Sequence, residues 1–83
     1  MITVAIVEDD AGIRSSLEWL LKSSAEFLCV AACQNAEEAL SILPKASPQV
    51  ILMDINLPDR SGIEALVAGL GRRPPVARGP RIL

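Results

Sequence analysis

Residues 2–7 are apolar or β-branched at odd and even positions alike, and the run stops abruptly at Glu8-Asp9-Asp10. A run with no polar parity predicts a strand covered on both faces, the habit of parallel sheets. Ile13, Leu17, Leu20 and Leu21 then recur at i, i+4, i+7 and i+8, with Arg14, Ser15, Glu18 and Lys22 on the other side. That spacing predicts an amphipathic helix. Asp10 is placed to cap it, because a carboxylate there accepts the free N–H groups of the first turn.

The same alternation repeats twice. Leu28 to Cys33 is a second apolar run of strand length, ended by Gln34-Asn35. Asn35 with Glu38 forms a variant capping box, and Ala36, Ala39, Leu40 and Leu43 supply one helical face. Pro44 and Pro48 are expected to close that helix, since proline lacks the donor that continuation needs. Val50 to Met53 is a third strand stopped by Asp54, and Ile63, Leu66, Val67 and Leu70 mark a third helical face.

A β-α-β-α-β-α order implies a parallel sheet with right-handed crossovers and helices on both faces. The fold class expected is therefore α/β, doubly wound and flavodoxin-like, with strand order 2-1-3 of a full 2-1-3-4-5. Strand starts fall roughly 24 residues apart, so five βα units need about 120 residues. The chain has 83. A fourth strand is thus expected to begin at Arg81-Ile82-Leu83, and order 2-1-3 would leave Val50 to Met53 as an edge.

Composition sharpens this picture. With one Trp, one Phe and no Tyr, the core must be aliphatic. Trp19 and Phe27 are expected to pack against it. Cys29 and Cys33 have no histidine beside them and too few partners for a metal site. With no secretory leader pattern to suggest oxidation, both are expected to be buried free thiols of a cytoplasmic protein. No apolar run approaches the ~20 residues of a membrane span.

Net charge is −2, unevenly spread. Residues 1–70 hold all ten acids and only Arg14, Lys22, Lys45 and Arg60 among the bases, whereas residues 71–83 hold Arg72, Arg73, Arg78 and Arg81 with no acid. The break separates a folded part at 1–70 from an irregular Arg/Pro/Gly-rich tail at 71–83. Without aromatic partners, those arginines read as a linker rather than a nucleic-acid surface.

The chemistry lies where strands end. Glu8-Asp9-Asp10 follows the first strand and Asp54 the third. In an open parallel sheet, ligands bind beyond the carboxyl ends of the strands where the strand order reverses, here between strands 1 and 3. Carboxylates gathered there repel one another unless protonated or bridged by a cation. With only oxygen ligands on offer, Mg²⁺ is the natural occupant.

Val-Glu-Asp-Asp at 7–10 and Met-Asp-Ile-Asn-Leu-Pro-Asp-Arg-Ser-Gly at 53–62 resemble the two signature segments of response-regulator receiver domains. The resemblance implies that Asp54 is the phosphoacceptor. It implies that Glu8 and Asp9 hold Mg²⁺ with Asp54, Asp9 being the more direct ligand, and that Asn56 offers its backbone carbonyl. Pro58 and Gly62 match the turn that shapes the site loop. The implied partners are a sensor histidine kinase and an output domain, DNA-binding by family-level analogy. The segment itself is then no enzyme and makes no nucleic-acid contact. The family's Ser/Thr at the end of strand 4 and Lys at the end of strand 5 have no counterpart in these residues. An interaction module that is never phosphorylated is therefore the rival reading. A haloacid-dehalogenase-type phosphatase would want a second Asp where Asn56 stands.

Overall fold

The computed structural model describes residues 1–53, 62–65 and the backbone of 81–82. Strand β1 (Ile2–Val7) leads to helix α1 (Ala11–Lys22), then β2 (Phe27–Cys33), α2 (Ala36–Ala46) and β3 (Val50–Met53); residues 62–65 are helical, and Arg81–Ile82 form a short β4. The sheet order is β2-β1-β3-β4, every pairing parallel. The α/β doubly wound sheet read from the sequence is therefore present, with the three long strands in the order 2-1-3. Stepping out to β2 and back across β1 to β3 reverses direction, so right-handed crossovers set α1 and α2 on opposite faces.

Central strand β1 carries the burial that its pattern required: Val4, Ala5, Ile6 and Val7 are consecutively buried. Ala5 and Val7 join Cys33, Ala39, Leu43, Ile51, Met53 and Ile63 in the core on the α2 face. Val4 and Ile6 belong to the other face, under α1. Ile63 brings the helical segment at 62–65 onto the α2 side.

Four expectations need correction. The exposed edge expected at Val50–Met53 is partly covered, because Arg81 pairs with Val50 and Ile82 with Ile51. Pro44 does not close α2, which runs on to Ala46. Proline removes only its own donor, and Ser47 secures the last turn by donating its N–H to Leu43 O (2.9 Å) and its hydroxyl to Pro44 O (3.4 Å). Ser47 adopts the left-handed conformation to do so, with φ 47°. Trp19 is 68% exposed rather than packed, whereas Phe27 is half-buried. Ile13 and Leu20, assigned to the inner face of α1, are 50% and 58% exposed. Helix α1 lies over β1 and β2, and among the described residues nothing covers its far side.

The cysteines show what register can do. Cys29 pairs with Val4 but Ala31 with Ala5, so a bulge at Val30 slips β2 by one residue against β1. One residue of slip exchanges the faces of a strand. Cys29 thus shares the α1 face with Val4, and Cys33 the α2 face with Val7, although four residues of regular strand would put them on one side. Both thiols are free, but only Cys33 is fully buried; Cys29 is half-buried.

Candidate functional site

The acidic turn after β1 is built from backbone outward. Glu8 extends the β1–β2 ladder by one bond, donating its N–H to Cys33 O at 2.9 Å. Asp9 donates its N–H to Glu8 Oε2 at 3.1 Å. Asp10 caps α1 as expected, its Oδ1 accepting from Ile13 N–H at 3.0 Å. Gly12 leaves room for that cap, since a Cβ there would lie 3.2 Å from Asp10 Oδ1. Asn35 caps α2 in the same way, accepting from Glu38 N–H at 2.7 Å.

Burial separates the three acids. Glu8 is only 8% exposed, the one buried charged residue among those described, while Asp9 and Asp10 are exposed. A carboxylate is costly to bury unless its charge is compensated. Val7, which precedes Glu8, pairs with Met53, which precedes Asp54. The carboxyl ends of β1 and β3 are therefore level at the centre of the sheet. Asp54, Asn56 and Pro58 lie outside the described residues, as does the expected boundary at residue 70, while Gly62 opens the helical segment against Leu40. Among the described residues no group of three metal-ligating side chains forms. The donors present, Glu8 and Asp9, are oxygen donors of the kind that suit a hard divalent cation.

Arg14 is the residue that the sequence reading misplaced. Assigned to the outer face of α1, it instead turns back and donates from Nη1 to Glu8 O at 2.8 Å. Its own N–H donates to Asp10 O at 2.9 Å. One signal was available: a cation in the first turn of a helix opposes the helix dipole, so its presence there calls for a local anion or acceptor.

Burial pushes the Cys33 thiol up from its ordinary 9.0 to about 11, the Glu38 carboxylate adding to the effect and Arg14 opposing it. Burial also raises Cys29. The folded state thus holds the Cys33 proton more tightly than the unfolded state. This contribution to stability is fully present below pH 9.0 and is lost as pH rises through about 11. Stability between those limits should fall more steeply for the native protein than for Cys33→Ala, as read by urea denaturation. Parallel pH profiles would contradict it.

The sheet order defines a doubly wound α/β domain with an acidic turn at the carboxyl end of β1, level with the end of β3. The response regulator receiver domain family matches residues 4–77. The chain belongs to that family, and so is a receiver domain of two-component signalling. It is 38% identical over 73 residues to protein-glutamate methylesterase/protein-glutamine glutaminase 2 of Paramagnetospirillum magneticum, covering 88% of this chain and 21% of that protein. It is 41% identical over 66 residues to the transcriptional regulatory protein UhpA of Escherichia coli, covering 80% and 34%. Among solved structures it resembles the complex of the CheA3 P1 domain with CheY6 from R. sphaeroides, with TM-score 0.76 and 29% identity over 98% of this chain and 60% of that one. The chain spans 18–21% of the length of the methylesterases it matches. Among the described residues no helix is long and apolar enough to cross a membrane.

Proposed function

We propose that this receiver is a phosphorylation switch in which Asp54 accepts a phosphoryl group from the phosphohistidine of a sensor histidine kinase. A carboxylate oxygen of Asp54 attacks phosphorus, the P–N bond breaks, and the imidazole leaves with the bonding pair. The product is an acyl phosphate. Glu8, Asp9, Asp54 and the Asn56 carbonyl would hold Mg²⁺, which when bound would supply the charge neutralisation that lets an anionic nucleophile approach an anionic phosphoryl group. Asp54 is the nucleophile, a role open to carboxylates when the centre they attack is neutralised. Glu8 and Asp9 present the oxygen donors.

The observation that carries this reading is the placement of Glu8 and Asp9 at the end of β1, level with the end of β3, which Asp54 follows in the sequence. Partner and output rest on relatives. The P1 domain of CheA3 accompanies CheY6 in the matched complex, and the regulators matched include a transcriptional one. We assign this protein the same kind of kinase partner, a cytoplasmic setting and an output domain that binds DNA. The methylesterase activity named for other relatives belongs to proteins of which this segment spans a fifth, and the receiver segment acts by regulating its output rather than as an enzyme.

Mg²⁺ alone tests the site. A ligand that binds only the folded state adds about 2.7 kcal/mol when present at a hundred times its Kd. Saturating Mg²⁺ should therefore raise the melting temperature of the full-length protein. Asp9→Asn should abolish the increase and Asp59→Asn should leave it intact. Equal responses from the two variants would reject the proposed convergence of acids.

A further inference from the structure

Arg14 reaches back from α1 to the acidic turn, its guanidinium donating to Glu8 O at 2.8 Å. The Asp10 carbonyl accepts the first backbone bond of α1, from Arg14 N–H at 2.9 Å, as an N-cap carbonyl does. Glu8 N–H is fixed separately, to Cys33 O at the end of β2. The peptide group that leads into Asp9 is thereby fastened to α1, and the start of the turn to the sheet.

Glu8, Asp9 and Asp10 stand in succession and repel one another, and fixing the peptide between Glu8 and Asp9 limits how far the backbone of the turn can shift to separate them. The cation also sits where the α1 dipole disfavours it. A guanidinium suits the task, because its planar fork can donate to a carbonyl while its charge stays beside the carboxylates. Helix α1, with no buried residue of its own, gains a polar tie to the sheet at the same point.

We infer that Arg14 is a positioning residue for the divalent cation: by clamping Glu8 O its guanidinium fixes the peptide that leads into Asp9, holds Asp9 ready for the metal and raises metal affinity. The inference rests on the proposed Mg²⁺ site. Two consequences of Arg14 have opposite signs, which makes the test decisive. As a clamp it should strengthen metal binding, whereas as a nearby positive charge it should weaken it.

The experiment is Mg²⁺ titration of the full-length protein by calorimetry, with metal-free unfolding curves recorded for each variant. Loss of an outer partner that orients metal ligands typically weakens affinity by about 10–100-fold. Arg14→Gln, which removes both the charge and the reach, should fall in that range. Arg14→Lys, with the charge kept but a single ammonium in place of the fork, should also bind Mg²⁺ more weakly than the native protein. Affinity in Arg14→Gln equal to or tighter than native would overturn the inference, since charge would then outweigh position. Should Arg14→Gln fail to fold, Arg14→Lys decides: weaker binding supports the clamp and unchanged binding overturns it. Failure of the native protein to bind Mg²⁺, or undiminished binding by Asp9→Asn, removes the metal site itself and this inference with it.

Discussion

Asp54→Asn should abolish labelling of the full-length protein by acetyl phosphate, with no hydroxylamine-sensitive phosphate left. Asparagine matches aspartate in size and carries an amide that does not attack phosphorus under these conditions, so the change removes the nucleophile and little else. Asp9→Asn should slow labelling without relocating it, because in the proposed mechanism Asp9 is a ligand of the cation and Asp54 forms the acyl phosphate. The two variants therefore separate nucleophile from ligand, which a single loss of activity would not. Residual label in Asp54→Asn would assign the phosphate to another carboxylate, Asp9 being the first to examine. Absence of label in the native protein, with Mg²⁺ binding intact, would favour the interaction module that is never phosphorylated.

A polypeptide of these 83 residues, prepared by itself, should self-associate and unfold without a sharp cooperative transition. Helix α1 buries none of its side chains, and Ile13, Trp19 and Leu20 each leave half or more of their surface in water. Ile2 and Leu28 add further exposed apolar surface. Strand β4 pairs with Val50 and Ile51 only, so the β3 edge at Leu52 and Met53 has no strand partner among the described residues. Uncharged edges of this kind template pairing with other chains. Each aliphatic side chain left exposed forgoes ~1.5–3 kcal/mol, against the ~5–15 kcal/mol that separates a small folded domain from its unfolded state. A few such side chains exhaust the difference. Size-exclusion chromatography with urea denaturation provides the check. A monodisperse monomer with one steep transition would show that α1 and the edge need no further cover.

Much of the fold was legible because its signals are local. The unbroken apolar run of β1 required burial on both faces, and Val4 to Val7 are buried in succession. Asp10 and Asn35 announced the starts of α1 and α2, since capping depends on a side chain and an N–H three residues away. The order of strands and helices was enough to give a parallel, doubly wound sheet. The acids after β1 were legible as candidates for the same reason: they stand where apolar strand stops.

What the tertiary structure decided depends on partners distant in sequence or on small shifts of register. Periodicity gave α1 an apolar face but could not say how much of it would be covered, so Ile13, Leu20 and Trp19 came out exposed. Whether a helix side is buried depends on what packs over it, not on the helix itself. The bulge at Val30 has no signature in the sequence, yet it alone sends Cys29 and Cys33 to opposite faces. The fourth strand expected at Arg81 is present beside β3, but the sequence did not fix how far the pairing runs, and it reaches only Val50 and Ile51. Arg14 is the clearest case. Helical spacing placed it away from the core, but a long, flexible side chain goes where an acceptor is offered, and the Glu8 carbonyl becomes one only after β1 and α1 have packed together.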